Sequence, residues 1–95
     1  MLLPENGSSL NYIHVLFEWE QEEDAVSYDL QLDTSPYFDN PININDESLI
    51  YIDTENIEWN SNYFWTIQPM YNSDAGLQPG VFIDTYTFST GSMVT

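Results

Sequence analysis

The stretch that decides the fold is His14-Val15-Leu16-Phe17-Glu18-Trp19-Glu20, answered after a short acidic loop by Ser27-Tyr28-Asp29-Leu30-Gln31-Leu32-Asp33. In the first run Val15, Phe17 and Trp19 fall on one side, and His14, Leu16, Glu18 and Glu20 on the other. In the second, Tyr28, Leu30 and Leu32 alternate with Ser27, Asp29, Gln31 and Asp33. Apolar residues at every second position describe a strand with one face in oil and one in water. A helix would repeat every 3.6 residues, and no stretch of this chain does so convincingly.

Outward from that pair, the remaining runs are also rich in β-branched and aromatic residues and are broken by Gly, Pro, Asn and Asp. Leu2-Leu3-Pro4 reads as a short first strand, with Asn6-Gly7 as the turn behind it. Gln21 to Ala25 is an acidic loop, and Leu49 to Asp53 is a strand. Tyr63 to Tyr71 is a long strand with Tyr63, Trp65 and Ile67 on one face. Asn72 to Gly76 is a turn, and Val81 to Thr90 closes the chain with Tyr86 and Phe88 inward. About seven strands with frequent turns predict an all-β, two-sheet antiparallel sandwich. Residues 1–95 form a single domain on this reading, with a core over about 2–90 and a linker or tail at 91–95.

The composition narrows the function. Among 95 residues there are 16 Asp plus Glu, no Lys, no Arg and no Cys, for a formal charge of −16. Such a charge would suggest disorder, but aromatics at 16% supply the area for a real core. His14 is the only side chain that can act as a counter-ion, so the acids must be screened by salt, bound cations or a basic partner. Nucleic acid and anionic membrane surfaces are not expected as partners, because both need cationic groups on the protein. No apolar stretch approaches the roughly 18 residues of a membrane helix, so membrane insertion is not expected. Met1-Leu2-Leu3 lacks the basic start of a signal peptide and runs straight into Pro4. The chain is thus either intracellular or an excised or mature piece of a secreted protein, and the second is the expectation here. With no Lys or Arg, it also offers trypsin no preferred site.

The ordered series Leu3-Pro4-Glu5-Asn6-Gly7, Phe17-x-Trp19, Ala25-x-x-Tyr28-x-Leu30-x-Leu32, Thr34-Ser35 with Phe38, Ile57 ahead of Tyr63 and Trp65, and Tyr86-x-Phe88-Ser89-Thr90 resembles bacterial and archaeal fibronectin type III-like domains. The resemblance covers nearly the whole chain. It implies an immunoglobulin-like sandwich whose core is defined by Trp19, Tyr28, Tyr63, Trp65 and Phe88, with Trp19 packed beneath Tyr63. It also implies that Tyr63 is the residue of a tyrosine corner, its hydroxyl bonded to nearby backbone. The departure is Asn60-Ser61-Asn62, where the family commonly has a Pro-Gly turn; Asn tolerates the positive φ such a turn needs.

Candidate chemistry is sparse. A hydrolase would need two acids converging on a cleft with separated pKa values, whereas these acids are spread over loops and outward strand positions. No enzyme activity and no cofactor are expected. Calcium is the one metal the oxygen-rich loops suit, since it takes about six to eight oxygen ligands. The best candidates are Glu22, Glu23 and Asp24, with Asp39-Asn40 and Asp46-Glu47 behind them. None follows the EF-hand pattern. Asn6-Gly7-Ser8 fits a glycosylation sequon at Asn6, though Asn-Gly is also plain turn chemistry, the reading preferred here. A lone His14 with no second imidazole is a surface residue.

Three functional readings stay open. The first is an extracellular or cell-surface spacer or adhesive module of a larger protein, meeting other protein domains. The second is a subunit that assembles with copies of itself into a filament or layer, with cations between the acids. It would use its sheet edges or the flanks Met1-Leu2-Leu3 and Ser92-Met93-Val94-Thr95. The third is a glycan-binding module using exposed rings such as Trp59. Ile13, Leu16 and Phe64, all on outward faces, would together form an apolar contact patch.

Overall fold

The computed structural model describes residues 2–92 and is all-β. Eight strands follow in order: β1 Ser8–Leu10, β2 Val15–Glu18, β3 Ala25–Asp33, β4 Ile42–Asp46, β5 Ile50–Asp53, β6 Asn62–Ser73, β7 Gly76–Pro79 and β8 Tyr86–Thr90. They form two sheets: a long one in the order β1-β8-β6-β3-β4, with β7 extending β6, and a short one of β2 and β5.

The alternation read from sequence sets the packing. Val15, Phe17 and Trp19 are buried, as are Tyr28, Leu30 and Leu32 of β3, Tyr63, Trp65 and Ile67 of β6, and Phe88 of β8. The two layers meet at Phe17. Its ring stands 5.3 Å from Trp65 and 5.9 Å from Phe88, both edge-on, while Tyr51 of its own sheet lies at 6.2 Å. Edge-to-face ring packing at these distances is the geometry the ring quadrupole favours. The arrangement is thus sandwich-like, with one oily layer between the sheets.

Several expectations are corrected. Eight strands are described where about seven were expected, and one pairing is parallel rather than antiparallel: β1 lies alongside β8 from Ser8↔Phe88 to Leu10↔Thr90. Leu2-Leu3-Pro4 is not a strand of its own; Leu3 makes a single bridge to Glu18 of β2, and the first strand starts at Ser8. The expected Val81–Thr90 strand shortens to Tyr86–Thr90; ahead of it Ile83 is tied to β6, its N–H donating to the Ile67 carbonyl and its own carbonyl accepting the Thr66 hydroxyl in place of a main-chain donor, both at 2.9 Å. Ser27, expected outward in solvent, is buried beside a bulge between Ala25 and Ser27. Trp19 and Tyr63 are both buried, but their ring neighbours differ from the expected pair: Trp19 faces Tyr28 at 6.0 Å and Tyr63 stacks on Phe88 at 5.3 Å. The expected tail begins too early, since Gly91 N–H donates to Leu10 and its carbonyl accepts from Asn60 N–H, both at 2.9 Å. Residues 93–95 lie outside the described residues.

The loop between β5 and β6 is tied to the core. Asn60 adopts φ 56°, as its turn requires, and Tyr63 Oη accepts the main-chain N–H of Glu58 at 2.8 Å. Beyond the short sheet, β6 runs on for twelve residues in all, about 40 Å of strand. It turns at Asn72–Gly76 into β7, whose side chains are all exposed. The chain then leaves β7 through Gly80, where a Cβ would stand 2.7 Å from the Tyr71 ring.

Candidate functional site

The acids come first, because they dominate the surface. Glu22, Glu23 and Asp24 sit in the turn between β2 and β3, all exposed, with Asp24 at φ 67°. The turn is closed by one side-chain and one main-chain acceptor: Glu22 N–H donates to Tyr28 Oη at 2.9 Å, and Ala25 N–H to the Glu22 carbonyl at 3.2 Å. Among the described residues no three His, Asp or Glu side chains gather around a point where a metal could sit. The structure therefore does not bring the three loop carboxylates together as a ligand set.

Other acids serve as acceptors in turns. Asp33 accepts from Thr34 N–H at 2.7 Å and Asn40 N–H at 3.1 Å, which draws the β3–β4 loop back on itself. Asp46 accepts the N–H of Ser48 at 2.8 Å and its hydroxyl at 2.7 Å, and these two donors hold its carboxyl below the ordinary range. Asp53 is the residue sequence reading missed. Its carboxylate is fully buried. It accepts from Glu55 N–H at 3.0 Å, Asn56 N–H at 2.7 Å, Asn56 Nδ2 at 2.8 Å and Tyr51 Oη at 3.2 Å. Burial, and then the charge of Asp53, raise the Tyr51 phenol above its usual value. The signal available was Asp53 with Asn56 three places on, directly before the apolar Ile57, a spacing suited to an Asx-type turn.

Asn6 is exposed and acts as a latch in the described turn. Its Oδ1 accepts Thr87 N–H at 2.9 Å, while Gly7, at φ 81°, donates its own N–H to the Thr87 carbonyl at 2.7 Å. Ser8 Oγ bonds to the Glu5 carbonyl. His14 is exposed. Trp59, the expected sugar platform, is half-buried, and the most exposed ring is instead Tyr37, 82% exposed in the β3–β4 loop.

The apolar patch expected from Ile13, Leu16 and Phe64 does not form as one surface. Leu16 belongs to the short sheet and Phe64 to the long one, so their outward faces point to opposite sides of the molecule. What the structure assembles instead lies on the short sheet alone. Leu16 stands directly across from Ile52, and Glu18 across from Ile50. Leu16 is 38%, Ile50 47% and Ile52 58% exposed. Ile50 and Ile52 escaped notice because the Leu49–Asp53 strand has apolar residues on both faces and sequence alone does not say which face is wet.

This strip continues into a groove of about 260 Å³ lined by Leu3, Pro4, Glu5, Leu10, Tyr12 and Leu16. The groove opens where the first segment passes from β2, at Leu3, to β8, at Ser8. No protein-family model matches the chain, and no curated relative is found for it.

Proposed function

We propose that the chain is a fibronectin type III-like module that serves as a non-enzymatic interaction or spacing domain of a larger secreted or cell-surface protein. The observation that carries this reading is the strand order. β8-β6-β3-β4 faces β2-β5, so that β2 to β3, β4 to β5 and β5 to β6 each cross from one sheet to the other. Such alternation is the Greek-key wiring of immunoglobulin-like sandwiches. The bond from Glu58 N–H to Tyr63 Oη supports it further, because it has the form of a tyrosine corner at the start of the sixth strand.

The non-enzymatic part rests on what the carboxylates do. Asp33, Asp46 and Asp53 accept from the donors of neighbouring turns, so these three carboxylates fix loops. A sandwich fold by itself names no partner; the exposed strip on the short sheet is what suits the module to contact another protein. An antibody raised against the folded domain should label intact, unpermeabilised cells or their secreted material. Labelling that appears only after permeabilisation would contradict the extracellular reading.

A further inference from the structure

We infer that the outer face of the β2–β5 sheet docks a Lys- and Arg-bearing protein surface, with Leu16, Ile50 and Ile52 as the apolar contact and Glu18 and Glu5 as its charged rim. The inference rests on the interaction-module reading and names the surface and the chemistry of the partner.

The apolar contact is built by strand pairing. Glu18 exchanges both main-chain bonds with Leu3, at 3.0 and 2.9 Å, so its N–H and carbonyl point away from β5. By alternation Glu18↔Ile50 and Leu16↔Ile52 are the non-hydrogen-bonded pairs of the ladder. In such pairs the Cα atoms stand about 4.5 Å apart and the side chains meet most closely. Leu16 and Ile52 thus present one joined apolar surface, with Ile50 two residues along β5 on the same face. Leu77, exposed on the β6–β7 hairpin, lacks this, since it faces Asn72.

The same geometry argues for docking on the face and against strand addition at the edge. Ile50 turns its main-chain groups to the free side of β5, and there the Ser48 hydroxyl, whose one proton is shared between Asp46 at 2.7 Å and the Ile50 carbonyl at 2.8 Å, accepts the Ile50 N–H at 3.4 Å. At Ile50 a side chain of the protein itself takes the main-chain groups that an added strand would need.

Charge selects the partner. Glu18 shares the outer face with Leu16, and Glu5 lines the groove that Leu16 also borders. Nothing in the chain offsets these acids, since it has no Lys and no Arg and a formal charge of −16. A second copy would set the same acids against each other, and an anionic lipid or nucleic acid would be repelled. A cationic protein surface alone gains both the apolar burial and the Coulombic attraction.

The test is a titration of the isotope-labelled chain with a synthetic peptide alternating Val and Lys, followed residue by residue by NMR. Shifts should centre on Leu16, Glu18, Ile50 and Ile52, and binding should weaken with added salt. Replacing Ile50 and Ile52 together by Ser should weaken binding about tenfold or more, and Glu18→Gln should reduce the salt dependence. A matching Val–Glu peptide should not bind. The inference is overturned by any of three results: no binding by the wild-type chain, shifts centred on β4 or the β6–β7 hairpin, or equal binding of the Val–Glu peptide. Self-association through this face in sedimentation would also contradict it. Because the titration uses the isolated chain, its failure is distinct from an intracellular location, which would remove the module reading and leave the binding result standing.

Discussion

The phenolic oxygen of Tyr63 accepts the main-chain N–H of Glu58, five residues earlier, at 2.8 Å. The ring beneath is stacked on Phe88 in the core. One side chain therefore joins the loop after β5 to the oily layer. Tyr63→Phe keeps the ring and removes only the acceptor. It should cost about 1 kcal/mol, seen as a fall of roughly 4–8 °C in melting temperature. The slope of a urea curve should stay unchanged.

Neighbouring residues of β2 should respond in opposite ways. Phe17 joins the two sheets through Trp65 and Phe88, so Phe17→Ala should remove about 3–5 kcal/mol. That is a large part of the roughly 5–15 kcal/mol a small domain possesses. Leu16→Thr, one place away on the wet face, should change stability by under about 1 kcal/mol. Chemical denaturation of the two variants side by side checks the contrast.

Asp53 organises the loop that follows β5. Asp53→Ala leaves the N–H groups of Glu55 and Asn56 without their acceptor, a loss of about 1–3 kcal/mol. Hydrogen exchange should quicken first at those two amides and at Ile57, before the rest of the sheet opens.

Two groups give the protein opposite pH limits. The Asp46 carboxyl is held below its ordinary value of 3.8, chiefly by the main-chain N–H of Ser48 and then by its hydroxyl. Its contribution is present above that pH and lost as acid takes the pH below it. The stability gap between the wild type and Asp46→Asn should therefore close in acid. The Tyr51 phenol is raised above 10.0, first by burial and then by Asp53. Its contribution is complete below that pH and lost as the pH climbs beyond it, so Tyr51→Phe should be the more resistant protein in alkali. Denaturation midpoints across the pH range read both effects.

With 16 acids and no Lys or Arg, the folded chain repels itself. Its melting temperature should rise between low and moderate sodium chloride, because screening weakens that repulsion. An equal rise at matched ionic strength with calcium would mark diffuse screening, whereas a far larger rise with calcium would mark a specific site.

The alternating runs were legible because each has one apolar face: β2, β3 and β6 lie where His14–Glu20, Ser27–Asp33 and Tyr63–Tyr71 predict them, and Asn60 takes the positive φ its turn was expected to need. β4 was not legible, because Asn43 and Asn45 dilute a strand whose Ile42 and Ile44 are only half-buried. β7 was hidden for a related reason: Gly76–Pro79 has no buried side chain, and its pairing with β6 is set by the hairpin turn alone. The wet apolar face was missed because its members come from two strands, and only their register puts Leu16 beside Ile52. The acids misled in the other direction, since closeness in sequence at Glu22, Glu23 and Asp24 produced no shared ligand geometry among the described residues.

The account turns on which residues of β2 and β5 face inward, for a slip of one residue would exchange the two faces. A soluble, uncharged paramagnetic agent added to the isotope-labelled protein reads this directly. The methyl signals of Leu16 and Ile52 should broaden strongly while the rings of Phe17 and Trp65 stay sharp. Broadened Phe17 and Trp65 signals beside protected Leu16 and Ile52 methyls would contradict both the core and the docking face.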